Sequence, residues 1–492
     1  MSSALARGQA RRPRTQPRRF RQRRVPRHWR HRLEPVVTRP GRRRRIVRGA
    51  LARIRGWLWW PLPWAVVCTW SLATDHWWWA LGTGLMAALS QTIALRDPGL
   101  AFAVDHQMPV DSREFLDSME GSTGVPLVGG NAVAILNNGD EFYPEMLAAV
   151  RAARSSITVE AYIYWRGEIG MEFARAIAER AKAGVPVKLL LDTVGSATIG
   201  DEILEILEAG GCQLAWFNPI DWYTLDRFNY RTHRKSLIVD GRIGFTGGAG
   251  IADHWRGHAQ DADHWRDMQV KVEGPGAVPL QTGFAQNWLR TTGEMVSGPA
   301  FFPAIAEAGG VAVHTVLSSP SAGASPVRTL YYLSIASARR SILIANPYFV
   351  PDQVALDALR AARTRGAAVK IIVSGIRNDN WLARQNSIRL FGPLLEAGVE
   401  VYEYNRTMLH QKTMVVDDAW GTIGTTNFDN RSFAFNEESN VSVCDRECVQ
   451  RLVAIFEEDL AASDRVTLEA WRRRGVLARA QEFVAALFED QV

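Results

Sequence analysis

Through residues 1–55 apolar side chains never recur at a helical or strand period. Arg and Pro interleave instead, which predicts a solvated, disordered arm. The pattern then inverts. Residues 56–74 and 77–95 are two stretches of 19 without a charged side chain, separated by Asp75-His76 and closed by Arg96-Asp97. As helices each would reach about 28 Å, close to the ~30 Å of bilayer hydrocarbon. The spacing therefore predicts a transmembrane helical hairpin over 56–96. Eight of the 18 tryptophans fall within Trp57–Trp79, as expected for rings at a headgroup boundary. Pro61 and Pro63 weaken the first helix and allow a shallower, re-entrant placement.

Past a linker over 97–130 the periodicity becomes that of a layered α/β protein, and it is written twice. A strand at 156–164 leads to a helix at 172–183 and a strand at 185–191; later a strand at 341–349 leads to a helix at 354–363 and a strand at 368–373. Gly184 and Gly366 stand where each helix should end. Apolar runs joined by helices of this length predict parallel strands buried on both faces. The chain thus reads as an α/β half over 131–310 and a second over 311–492, the latter with C-terminal helices.

Charge sharpens the division. Residues 1–55 hold 20 of the 58 basic residues, all Arg, against one acid, so the +7 net charge conceals an acidic remainder of 38 basic and 50 acidic residues. That excludes a fold that grips nucleic acid over its whole surface. Arg-rich flanks stay in the cytoplasm, which places the arm and everything after Arg96 on that side. Four cysteines are too few for a disulfide scaffold, and Cys444 and Cys448 have no second pair nearby to complete a zinc site.

Each half ends in the same chemistry. The first holds His233-Arg-Lys235 followed by Asp240, then Gly247-Gly248; the second holds His410-Gln-Lys412 followed by Asp417, then Gly424-Thr-Thr-Asn427. Both read H-x-K-x4-D. Lysine is scarce, six in the chain, so its recurrence within a pattern is informative. On a strand, residues two apart share a face, so an imidazole and an ammonium can address one target. Two ammonium groups match a phosphorane better than a phosphodiester. One neutral imidazole can attack phosphorus while the other, protonated, donates to the departing oxygen. No metal or other cofactor is needed, since the lysines supply the positive charge. Each His needs a carboxylate to fix its tautomer, and Asp267 and Glu438 lie at similar distances downstream. His254 and His258 are spaced i, i+4 with His264 close by and could in principle bind a metal, but no metal site is expected.

These residues resemble the phospholipase D superfamily, whose signature is the duplicated H-x-K-x4-D. Glu160-Ala-Tyr-Ile-Tyr, Glu168-Ile-Gly, Leu191-Asp192 to Gly195-Ser196, Asn346-Pro-Tyr-Phe-Val-Pro351 and Asn427-Phe-Asp-Asn-Arg-Ser-Phe433 are similar to bacterial cardiolipin synthases. The likeness covers roughly 56–475. It implies two tandem phospholipase D-type α/β/α units with pseudo-two-fold symmetry behind a membrane hairpin. It also implies His233 as nucleophile and His410 as general acid, a pseudo-symmetric site permitting the reverse. Lys235, Lys412 and Asn427 would hold phosphate, and Asp240 and Asp417, the motif acids, would be structural. The family usually has Asn where this chain has Gly250, which leaves the first half short of one phosphate donor. The implied activity is transfer of a phosphatidyl group from phosphatidylglycerol to a second phosphatidylglycerol at the bacterial inner membrane, with the catalytic part cytoplasmic. A hydrolytic phospholipase D uses the same residues with water as acceptor. A nuclease of the superfamily and a non-enzymatic membrane scaffold are further alternatives; no specific nucleic-acid partner is expected. Both halves sit in one chain, so a monomer can assemble the site.

Overall fold

The computed structural model describes residues 61–93, 104, 108–219, 230–320 and 325–489. The expected Arg-rich arm lies outside them. Fifteen strands form one sheet. The first unit contributes β1 (Val128–Asn137), β2 (Ile157–Ala161), β3 (Val187–Asp192), β4 (Gln213–Phe217), β5 (Ser236–Val239), β6 (Ile243–Gly247) and β7 (Met268–Glu273). The second contributes β8 (Val311–Ser318), β9 (Ser341–Ala345), β10 (Ala368–Ser374), β11 (Glu400–Tyr404), β12 (Thr413–Val416), β13 (Trp420–Gly424) and β14 (Glu438–Val443), with β15 (Ser463–Val466) on the far edge.

Outward from the centre the orders are β1-β7-β6-β5-β2-β3-β4 and β8-β14-β13-β12-β9-β10-β11, so the two units repeat one topology. They join through the antiparallel pair of β1 with β8, at Val128↔Val313 and Asn131↔Val311. The strands expected to be parallel are parallel: β2 with β3, and β9 with β10. Helices Glu168–Lys182 and Gln353–Thr364 make these crossovers, and Gly184 (φ 89°) and Gly366 (φ 104°) follow their ends. β2 and β3 are buried along their whole length, as a strand covered on both faces must be. The inner four strands of each unit are antiparallel, which short hairpins permit.

The two motif acids make one of those hairpins. Asp240-Gly241 (φ 53° and 64°) and Asp417-Asp418 (φ 55° and 51°) occupy the centres of tight turns with positive φ at both positions, the twist a two-residue hairpin prefers. The Asp240 carboxylate accepts from the amides of Arg154, Ser155 and Ser156 at 2.6–3.1 Å. Asp417 accepts from those of Arg339, Arg340 and Ser341 at 2.7–3.2 Å. Each acid thereby ties its hairpin to the entry of β2 or β9.

Two expectations need adjusting. Residues 97–130, read as a linker, include a helix Arg113–Thr123 capped by Ser112, with Phe115 and Met119 buried against the second unit's core. The hairpin is present as helices Pro61–Ala73 and Trp77–Ile93, 13 and 17 residues long, or about 20 and 26 Å. Among the described residues no helix is long and apolar enough to cross a membrane. The helices pack through Ser71, Ala80 and Thr83, and turn Trp70, Trp77, Trp78, Trp79 and Leu81 outward, each more than 60% exposed.

Candidate active site

His233-Arg-Lys235 and His410-Gln-Lys412 do not lie on strands as expected, but in extended segments that enter them: β5 begins at Ser236 and β12 at Thr413. Those segments run along the seam between the units. The His233 amide donates to the Glu437 carbonyl (2.9 Å) and the Glu437 amide to the Arg231 carbonyl (3.1 Å). In the matching place the His410 amide donates to the Arg266 carbonyl (2.7 Å) and the Arg266 amide to that of Met408 (2.8 Å). Each His-bearing segment is therefore a parallel neighbour of the acid-bearing segment of the other unit.

The carboxylates consequently exchange partners. His233 Nδ1 is 3.0 and 3.1 Å from the Glu438 oxygens, and His410 Nδ1 is 2.8 Å from Asp267 Oδ2. Both imidazoles are buried and both acids are fully so. Each unit completes the other's imidazole, which brings the two motifs to one place. Lys235 Nζ donates to the His233 carbonyl at 2.8 Å, and Lys412 Nζ to that of His410.

Burial dominates the electrostatics. It pushes Lys235 down to about 7, helped by repulsion from Lys412, and Lys412 down to about 8. Burial and the two ammonium groups push His233 well below the ordinary histidine value. His410 is lowered by burial and by Lys412, while Asp267 opposes the shift. The acids diverge. Burial lifts Glu438 to about 7 against the pull of Lys235. For Asp267 burial is outweighed by the His410 hydrogen bond and by the charges of His410 and Lys412, leaving it below the usual carboxylate value. Burial thus disfavours the charged forms of both lysines and both imidazoles, a cost that a nearby anion would offset.

Asn427 is buried beside this cluster; its amide donates to Ser432 Oγ (3.2 Å), and its side-chain oxygen has no protein partner among the described residues. At Gly250 no side chain fits: a Cβ would lie 2.9 Å from both Cβ and O of Ile163 and 3.1 Å from the Trp255 ring. Asp240 and Asp417 do not join the cluster, since they hold the backbone amides at the far ends of β5 and β12. His254, His258 and His264 turn to different partners, the Asp263 carbonyl, Asp140 and Asp261.

Aromatic rings that sequence reasoning missed enclose the imidazoles. Tyr162 is edge-on to His233 at 5.3 Å; Trp255 and Trp265 stand 5.6 Å and Tyr348 6.4 Å from His410. The available signal was position: Tyr162 and Tyr348 follow β2 and β9, and Trp255 and Trp265 directly follow His254 and His264.

With this geometry in place, comparison with known proteins is decisive. The chain matches the family described as "Cardiolipin synthase, PLD-like domain" over residues 146–263 and 332–460, one match in each unit. It is 36% identical to cardiolipin synthase 1 of Bacillus anthracis over 369 residues, 73% of this chain and 72% of that protein. The chain belongs to the cardiolipin synthase family of phospholipase D-like proteins. Another relative, the major cardiolipin synthase ClsA of Bacillus subtilis strain 168, is 31% identical over 389 residues, 78% of this chain and 80% of that one. Phosphatidylserine synthase from Haemophilus influenzae Rd KW20 shares the fold: TM-score 0.59, 14% identity, covering 77% of this chain and all of that one. Membership of the cardiolipin synthase family makes this chain a phospholipase D-type phosphatidyltransferase.

Proposed function

We propose that this phosphatidyltransferase makes cardiolipin from two molecules of phosphatidylglycerol through a phosphohistidine. The observation that carries the reading is the exchanged pair of imidazole–carboxylate contacts, each beside a lysine, in a chain of this family. Phosphatidylglycerol binds with its phosphodiester between Lys235, Lys412 and Asn427. His233 is the nucleophile: burial and both lysines keep it neutral, so its Nε2 lone pair is available. As the His233–phosphorus bond forms, the bond to the glycerol oxygen breaks and His410 gives that oxygen its proton. Asp267, held ionised, favours the protonated form His410 needs for that role. A second phosphatidylglycerol enters, His410 takes the proton of its glycerol hydroxyl, and the oxygen displaces His233 from phosphorus. Asp240 and Asp417 act on the fold through their hairpins.

Supplying labelled phosphatidylglycerol in vesicles to purified protein tests this. A dimeric phospholipid with freed glycerol is expected; phosphatidic acid alone would mark hydrolysis and sink the proposal.

The outward tryptophans support a hairpin inserted in the bacterial inner membrane, with the catalytic units on its cytoplasmic face, where lipid hydroxyls are concentrated and water is scarce. Protein lacking residues 1–95 should sediment less with vesicles while keeping detergent-assay activity; unchanged sedimentation would reject the anchor.

A further inference from the structure

The two carboxylates that orient the imidazoles are held by different groups, and the difference follows the repeat position by position. Gly248 and Thr425 both stand 15 positions after their motif His, Gly250 and Asn427 both 17, Trp255 and Ser432 both 22. In the second unit, Thr425 Oγ1 donates to Glu438 Oε2, and the Ser432 hydroxyl hydrogen-bonds the same carboxylate. In the first unit neither hydroxyl exists. Asp267 is one methylene shorter than Glu438, and its carboxylate lies so close to the chain that a Cβ at Gly248 would be 2.2 Å from Oδ1. A threonine has no room there.

The vacant role is filled from the Ser432-equivalent position. Trp255, fully buried, reaches over Gly250 and donates Nε1–H to Asp267 Oδ2 at 2.9 Å, the oxygen that also meets His410. The Met268 amide holds Oδ1 at 2.8 Å. Tyr143 Oη donates to the carbonyls of Gly250 (2.9 Å) and Ala252 (3.1 Å), fixing the turn from which the indole departs. A Cβ at position 250 would meet Ile163 at 2.9 Å and the edge of the indole at 3.1 Å.

We infer that Trp255 is a positioning residue for the Asp267–His410 pair, its indole N–H replacing the hydroxyls that hold Glu438 in the other unit. The inference rests on the reading of His410 as the proton carrier. With Oδ2 pinned between the indole and Nδ1, the imidazole can present Nε2 to the phosphodiester in one orientation. The N–H also turns the positive end of its dipole toward the pair, which disfavours every proton held there. The other groups bearing on the pair are Lys412, Lys235, His233, Arg266, Asp379 and Tyr143. They are unchanged in a variant confined to Trp255.

The full chain is tested with Trp255→Phe and with 3-benzothienylalanine at 255, an isostere with sulfur in place of the N–H, each alone and with Asp267→Asn. The isostere should lower kcat about tenfold with KM within about twofold, the loss typical of an outer orienting group. The alkaline limb of the kcat profile should move to higher pH, because His410 keeps its proton longer. Added to Asp267→Asn, the isostere should cost nothing further. A kcat within twofold of the parent, a loss confined to KM, or additive losses would overturn the inference. An unimpaired Asp267→Asn would instead overturn the underlying assignment of the pair.

Discussion

The two units share a strand order and a motif, yet they treat their imidazoles differently. His233 leans on Glu438, which burial lifts to about 7 and which is held by hydroxyls. His410 leans on Asp267, which its partners hold below the usual carboxylate value and which is held by an indole. Duplication supplies a symmetric pair of imidazoles, whereas their environments break the symmetry, and in the proposed mechanism that difference divides the work at phosphorus. A weakly anionic partner suits an imidazole that must stay neutral and attack. A firmly anionic one suits an imidazole that must hold and release a proton.

The comparison breaks at once if the imidazoles are dispensable. His233→Ala and His410→Ala should each lower turnover by at least about 10⁴-fold, since groups acting as a unit fail together. Labelled-lipid assays measure this, and an active His410→Ala would remove the acid from the scheme. The next effect separates the acids. Asp267→Asn should cost about 10²–10³-fold, the range of a lost acid–base partner. Glu438→Gln should cost less below pH 7, where Glu438 is largely protonated and Gln resembles it, and more as pH rises through about 7 and the parent ionises. Equal losses at pH 6 and pH 8 would show Glu438 ionised throughout and erase the difference between the units.

What the sequence made legible was local. The repeated strands, the crossover helices and the positive-φ glycines after them follow from short-range pattern, and the duplicated motif carries its own chemistry. The exchange of Glu438 and Asp267 was hidden because it is decided at the seam, where segments 205 and 143 residues apart pair backbone to backbone. Trp255 was hidden for a related reason: nothing in its local spacing beside His254 and His258 marks an indole that reaches Asp267, 12 residues on. The antiparallel inner strands were hidden too, because a four-residue apolar run reads the same in either direction.

The smallest effect concerns Gly250. Matching the units there, with Gly250→Asn, would restore the amide that stands opposite in Asn427 if an absent donor were all that distinguishes them. The packing argues otherwise. The first side-chain atom already lies 2.9 Å from Ile163 and 3.1 Å from the Trp255 ring, so the amide cannot enter without displacing Ile163 and crowding the indole. Overpacking of this kind costs about 1–3 kcal/mol. Gly250→Asn should therefore unfold at lower denaturant and gain no activity; the small loss in kcat it does show should match that of the Trp255 isostere. A variant as stable as the parent and more active would mean that the indole yields readily, and that the first unit lacks nothing but a donor.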